Sequence, residues 1–475
     1  MQCNVIFHCP LNYPYKYGQR GKVTKKLYIS TYGCQMNVYD SARMADILSP
    51  LGYSLTDKPK NADMAILNTC HIREKASEKT FSELGRLRNM RNAKKEQGKG
   101  DMMIAVAGCV AQAEGSEIMK RAPYVSMVFG PQSYHKLPEM LAEAARGSGQ
   151  VLDTDFPIEP KFDFLPENAI DTRLSAFLTV QEGCDKFCAF CVVPYTRGAE
   201  FSRTTSEIVS EAKRMIAGGT KEITLLGQNV NAYHGLNKAG QSASFAHLIY
   251  ELAELDGLER LRYTTSHPLE MTEELCKAHR DVDVLMPYLH LPVQAGSDRI
   301  LEAMNRRHTG AEYRNIIDKL RSYRPDLALS GDFIVGFPGE TDRDFEDTMQ
   351  LIRDVKYAQA YSFKYSPRPG TPAAALEDKM IPETVKSERL AALQALVNEQ
   401  QLAFNQSFEG KEVPVLLERS GKREGQLIGR SPYMQSVYVQ SPPHRIGRIA
   451  TVTIEEGNAN SLRGNLKPGN AASIA

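Results

Sequence analysis

Three times between residues 25 and 130 the chain repeats one unit: an apolar strand, a cysteine at its end, and a helix after it. "KKLYISTYGC" runs into Cys34 and precedes "NVYDSARMADILSPLG". "DMAILNTC" ends at Cys70 before the charged "IREKASEKTFSELGRLRNM", and "DMMIAVAGC" ends at Cys109 before "VAQAEGSEIMKRA". Strands that alternate with helices build a parallel sheet, and ligands collect beyond the carboxyl ends of its strands. Cysteines 36 and 39 residues apart in sequence would then face one crevice. A doubly wound parallel α/β domain carrying three thiols at one edge is the expectation; three buried cysteines serving as small apolar side chains is the plainer alternative.

The rest of the composition narrows the setting. A chain of 475 residues exceeds what a single core serves, so two or three domains are expected. With 58 basic against 57 acidic side chains, any nucleic-acid surface must be local. Nine cysteines are too few and too oddly numbered for a disulfide scaffold, so metal binding or catalysis in a reducing, cytoplasmic setting is expected. Residues 1–26 show no signal-peptide core, and "MMIAVAGCVA" at 102–111 is too short to span a bilayer, so no membrane association is expected.

From 170 to 370 strands and helices alternate six more times. The strands are "AFLTVQEGC", "EITLLGQNV", "RLRYTTSHP", "YLHLPVQAG", "LSGDFIVGFPG" and "AYSFKYSPRPG". Between them lie amphipathic stretches such as "TTSEIVSEAKRMIAGG" and "TDRDFEDTMQLIRDVK", with Thr or Ser placed to cap their starts. Six such units, short of eight, predict an open (βα)6 partial barrel. Polar residues stand at the strand ends, where an active site belongs: Gln228 and Asn229, then His267, Gln294, and Lys364 with Arg368.

The first of these strands leads into "GCDKFCAFC", with cysteines at 184, 188 and 191. A closed tetrahedral zinc site or a fully ligated iron–sulfur cube takes four protein ligands, and three leave one corner open. Zinc motifs usually bring ligands in pairs, and no second pair exists here.

The spacing C-x3-C-x-Φ-C, with Phe190 as the aromatic, resembles the radical S-adenosylmethionine (SAM) superfamily. "TYGCQMN", "NTCHIREKA", "GCVAQ", "EGCDKFCAFCVVPYTRG", "LLGQNVNAY", "YTTSHP", "HLPVQAGS", "IVGFPGET" and "FKYSPRPGTPA", in this order, resemble the methylthiotransferases of that superfamily. The branch they most resemble is the one acting on N6-isopentenyladenosine beside the anticodon of tRNA. The resemblance implies two [4Fe–4S] clusters, one on Cys184, Cys188 and Cys191, and an auxiliary one on Cys34, Cys70 and Cys109. The free iron of the first would take SAM, whose cleavage gives a 5′-deoxyadenosyl radical, and the auxiliary site would hold the sulfur that a second SAM methylates. Phe190, Gln228 and Asn229 are expected to meet SAM, as are Gly218 and Gly219, for which a helix C-cap and turn is the alternative. Gln35, Asn37, Tyr195 and Arg197 are expected to meet the target base or a nucleotide phosphate. A flavodoxin- or ferredoxin-like electron donor and a monomeric state are implied as well.

After the helical run "PETVKSERLAALQALVNEQQLAFNQSF" come short alternating stretches, "KEVPVLLERS", "GQLIGRS", "QSVYVQS" and "RIATVTIEEG". They predict a small antiparallel OB-like β-barrel, at the position of the family's RNA-binding TRAM domain. Residues 405–475 carry nine basic and six acidic side chains, a balance that suits phosphate contact with a tRNA anticodon stem-loop. "GRSPYMQSVYV" and Ala295 depart from the family's usual residues. The expected organisation is a variable extension (1–25), an N-terminal cluster domain (26–145), a linker (146–169), a radical SAM core (170–400) and a TRAM domain (405–470). The expected activity is methylthiolation of C2 of N6-isopentenyladenosine at tRNA position 37. Alternatives are the same chemistry on N6-threonylcarbamoyladenosine or on a ribosomal-protein aspartate, or an RNA-binding iron–sulfur sensor without turnover.

Overall fold

The computed structural model describes residues 25–70, 76–147, 149–156, 161–164 and 173–467. Cys3, Cys9 and part of the expected linker lie outside them. The chain divides into two compact units: the first comprises residues up to 173 with 182–185 and 192–203, the second comprises 174–181, 186–191 and everything from 204 onward.

The first unit is built on strands β1 (Lys25–Thr31), β2 (Tyr53–Leu55), β3 (Met64–Thr69), β4 (Met103–Gly108), β5 (Met127–Phe129) and β6 (Val151–Asp153). They form one sheet in the order β2-β1-β3-β4-β5-β6, every pair parallel. Helices cover both faces. Met64, Ile66, Ala105 and Phe129 pack with Met44, Leu48 and Leu137 on one side, while Ala65, Leu67, Ile104 and Val106 pack with Leu84, Leu87 and Ile118 on the other. The alternation of consecutive strand residues between two buried clusters explains why β3 reads as an unbroken apolar run. The strand order reverses direction between β1 and β3, which makes their carboxyl ends the topological switch point where doubly wound sheets bind ligands.

The second unit holds six parallel strands in two sheets. β9 (Arg260–Thr264), β8 (Glu222–Leu226) and β7 (Ser175–Thr179) form one; β10 (Tyr288–His290), β11 (Ala328–Val335) and β12 (Gln359–Lys364) form the other. Helices between them start on the expected caps: Thr204, Thr309 and Thr341 each accept the backbone N–H three residues on, and the acid there reaches back. One apolar core joins strands and helices, and it takes in Cys276 as a fully buried helix residue.

A closed five-stranded barrel completes this unit, with strands β13 (Glu412–Ser420), β14 (Gln426–Arg430), β15 (Ser436–Gln440), β16 (Ile449–Asn458) and β17 (Ser461–Leu466) in the order β13-β14-β15-β17-β16. All its pairs are antiparallel except β15 with β17. Two arginines of β9 fasten it to the core. Arg260 donates to the carbonyl oxygens of Arg430 (2.8 Å) and Pro414 (2.7 Å), and Arg262 to those of Pro432 (2.7 Å) and Ser431 (2.9 Å). The stretch "GRSPYM" is thus the stretch the core grips. Glu222 accepts from Arg262 Nε at 2.9 Å, and against burial, which would raise it, the two arginines hold its carboxyl below the usual range.

Replacing one member of a buried ion pair strands the other, at a cost of about 3–5 kcal/mol. Arg262→Ala should therefore lower the urea midpoint of the second unit and speed amide exchange across residues 412–466, as measured by hydrogen exchange with mass spectrometry.

Candidate functional site

The three repeated cysteines converge as their strands do. Cys34 occupies the cap position of helix Gln35–Leu48, Cys70 follows β3, and Cys109 opens helix Cys109–Arg121 directly after β4. Register aligns Thr31 with Asn68 and Thr69 with Gly108, so the residues that follow all three strands emerge at one end of the sheet. Close approach is built into the backbone. Gly33 has φ +107, and a Cβ there would lie 2.2 Å from Cys70 Cβ and 2.6 Å from its Sγ. Gly108, at φ +90, would set a Cβ 2.3 Å from the Thr69 carbonyl oxygen. Only glycine permits both the conformation and the contact.

Two of the thiols stand at helix N-termini, which favour thiolate. A hydrogen bond from Cys70 brings the Cys34 thiol down to about 6, over the opposing effect of burial and with help from Arg197. Burial pushes the Cys109 thiol up, and Arg197 opposes it. Asn37 fixes the turn between them: its Nδ2 donates to Tyr32 O (2.8 Å) and Thr69 O (2.9 Å), and Asn68 Nδ2 donates to Asn37 O (2.8 Å). No disulfide joins these cysteines. Among the described residues no three acidic, histidine or cysteine side chains close on a single-ion site. A cubane, whose ligand sulfurs stand well apart on separate irons, does not ask for one.

Behind the crevice lies a buried quartet of charges. Arg197 donates to Asp40 (2.8 Å), Glu182 (2.5 Å) and Asn37 Oδ1 (2.9 Å), and Lys161 donates to Glu182 (2.8 Å) and contacts Asp40 at 3.4 Å. The exposures of Arg197, Asp40, Glu182 and Lys161 are 3%, 2%, 2% and 1%. The structure therefore corrects two expectations. Arg197 is enclosed by its own carboxylates and does not face a nucleotide phosphate, and Asn37, fully buried and bonded to the backbone, does not face a base. Gln35 and Tyr195 keep partial exposure, Tyr195 at 49%.

The loop "GCDKFCAFC" contributes to both units. In the first, Gly183 (φ +76) passes within contact of the Ala199 carbonyl, and the Cys184 N–H bonds Gly198 O at 3.3 Å. In the second, Ala189 N–H donates to Met304 O (2.9 Å), Cys191 N–H to Cys188 O (2.9 Å), and Arg306 Nη1 lies 3.5 Å from Cys188 Sγ. Phe190 packs on the core.

Near the carboxyl ends of β8 and β9, and beside Arg306, the second unit holds polar atoms that it does not pair. Asn229, 2% exposed, bonds Gln181 Oε1 through its N–H while neither side-chain atom has a partner. Ser266 Oγ, His267 Nε2, Arg306 Nε and both ring nitrogens of His308 are also buried and unpaired. Burial first, then the Arg306 charge, drives His308 down to about 4 and His267 further below its usual value, so both rings are neutral acceptors or donors at neutral pH. Buried orphan groups at strand carboxyl ends fit a polar cofactor. Thr265 (φ 71) and Gln294 (φ 81) adopt left-handed backbone at the same ends. Arg306, Ser266 and His308 were not singled out in the sequence; the signal for Arg306 and His308 was "NRRHTG", a cluster of cations and histidine, and Ser266 stands beside His267 in "YTTSHP".

A further correction concerns Gly218 and Gly219, expected to meet the cofactor. They close helix Thr205–Ala217 and precede β8, so they lie at the amino end of that strand, away from Gln228 and Asn229. Their role is the helix stop, with Gly219 at φ +104.

Three family models match the chain in order: the uncharacterized protein family UPF0004 over residues 26–130, the radical SAM superfamily over 178–352, and the TRAM domain over 406–467. Among solved structures, the radical S-adenosylmethionine methyltransferase TsrM from Kitasatospora setae is 13% identical over 74% of this chain and 75% of its own, with a TM-score of 0.53. The cobalamin-dependent S-adenosylmethionine radical enzyme OxsB is 12% identical over 76% of this chain, with a TM-score of 0.52. The chain spans 56% of the length of OxsB. At such identity the likeness is one of fold. The core is thus that of a radical SAM enzyme, a class that uses SAM and a [4Fe–4S] cluster. The order of the three domains is that of the MiaB-type methylthiotransferase family. No described helix is long and apolar enough to cross a membrane.

Gly33→Ala should cost the N-terminal crevice its ligand geometry. If that crevice holds a second cluster, the anaerobically reconstituted variant should hold about half the iron of the parent, about four atoms in place of about eight, by colorimetric assay.

Proposed function

We propose that this protein methylthiolates C2 of N6-isopentenyladenosine at position 37 of tRNA. The observation that carries the reading is the second three-thiol crevice, built on Gly33, Gly108 and Asn37 at the switch point of the first sheet. A radical SAM enzyme that only abstracts hydrogen has no need of it. When bound, the two clusters with SAM supply a primary carbon radical and an activated sulfur.

The chain's own residues bind, orient and shield. Cys184, Cys188 and Cys191 are the ligands of the SAM-binding cluster, and Arg306 neutralises charge beside Cys188. Asn229, Ser266, His267 and His308 offer unpaired polar atoms to the carboxylate, amine and ribose of SAM. Gln228 flanks them, Phe190 seals the loop against the core, and Cys34, Cys70 and Cys109 hold the sulfur-bearing cluster. The TRAM barrel suits RNA, and supports tRNA as the substrate.

Nucleoside mass spectrometry of tRNA from cells with and without the gene tests the substrate: loss of the methylthio-isopentenyladenosine peak is expected, and its persistence contradicts the reading. Single variants test the division of labour. Cys188→Ala should abolish release of 5′-deoxyadenosine from SAM. Cys70→Ala should spare that release, and lower methylthiolated product below detection.

A further inference from the structure

The quartet Asp40, Glu182, Lys161 and Arg197 is costly to bury, and its arrangement is not symmetric. Both cations meet both carboxylates, yet only Arg197 also reaches the crevice, through Asn37 Oδ1 at 2.9 Å. Asn37 in turn holds the Tyr32 and Thr69 carbonyls, and so the turn before Cys34 and the strand end before Cys70. Lys161 spends its ammonium on the carboxylates, on Pro131 O (3.0 Å) and over the Tyr134 ring (4.5 Å). Arg197 is anchored as well by its own carbonyl, which accepts from Gln132 Nε2 at 2.8 Å. A network that served stability alone would be better replaced by apolar side chains.

We propose that Arg197 is the positioning residue of the N-terminal cysteine site: a fixed cation that orients Asn37 and offsets the negative charge of three thiolates, thereby raising the reduction potential of the cluster they hold. The inference rests on the reading that these cysteines bind a cluster. Buried, immobile charge and hydrogen bonding are among the determinants of iron–sulfur potentials. Of the two cations, Arg197 is the one hydrogen-bonded to the residue that holds both turns, Asn37. Because Arg197 follows Cys191 by six residues, one short segment would serve both cysteine sets.

The test uses the full chain carrying Cys188→Ala, so that only the N-terminal site can hold a cluster. If this protein binds no iron, the two-cluster reading fails and the inference falls with it. If it binds about four iron atoms, Arg197→Gln and Lys161→Met are compared in it by anaerobic redox titration followed by electron paramagnetic resonance. Both substitutions should lower thermal stability, but only Arg197→Gln should shift the midpoint to lower potential and change the spectrum. An unshifted midpoint in Arg197→Gln, or equal shifts in both variants, overturns the proposal. Should Arg197→Gln hold no iron, Arg197→Lys decides: a cluster retained with the charge supports the clamp, and its loss overturns it.

Discussion

Parallel pairing is the constraint on which the rest of this molecule depends. Because β1, β3 and β4 run in the same direction and in register, whatever follows each of them is delivered to the same edge, however far apart it lies in the chain. Three cysteines, two glycines without which they could not approach, and one fully bonded asparagine occupy that edge. The same rule, applied to β7, β8 and β9, brings Gln181, Asn229 and His267 to the carboxyl ends of the second unit's strands. Each unit thus uses a parallel sheet to assemble polar and thiol groups that sequence separates.

The two assemblies differ in how they balance charge. The N-terminal crevice sits against four buried ions paired with one another, one of which, Arg197, also donates to Asn37. At the second unit's strand ends the polar atoms remain unpaired, and two histidines are kept neutral by burial and by Arg306. A saturated network holds geometry, and an unsaturated one is made to receive a ligand. The contrast fits the proposed function, in which the first unit's thiols hold a fixed geometry and the second unit's polar groups receive a cofactor that is replaced at each turnover.

Much of this was legible in the residues. Strand–cysteine–helix repeats, the C-x3-C-x2-C loop, Thr-capped helices and the terminal barrel all have short-range signatures of period, cap or spacing. What was not legible lacks one. Arg197 reads as a loop cation beside "VVPYT", and only its pairing with Asp40, 157 residues away, shows that it is internal. Asn37 looks like a turn residue offering an amide, yet that amide is consumed by the Tyr32 carbonyl just after β1 and by the Thr69 carbonyl at the end of β3, 32 residues on. Gly218 and Gly219 fit a ligand loop and a helix stop equally well until the direction of β8 is known. Arg260 and Arg262 alternate along a strand, as exposed residues do, yet they point at the carbonyls of a barrel that begins some 150 residues later.

The proposed function requires two distinct three-thiolate cubes on this one chain, only one of them receiving SAM. Mössbauer spectroscopy of protein reconstituted anaerobically with 57Fe, before and after adding SAM, tests it most directly. The account predicts about eight irons in [4Fe–4S] form, with SAM altering the signal of one site in a single cluster. A total of about four irons, or a spectrum indifferent to SAM, would contradict it.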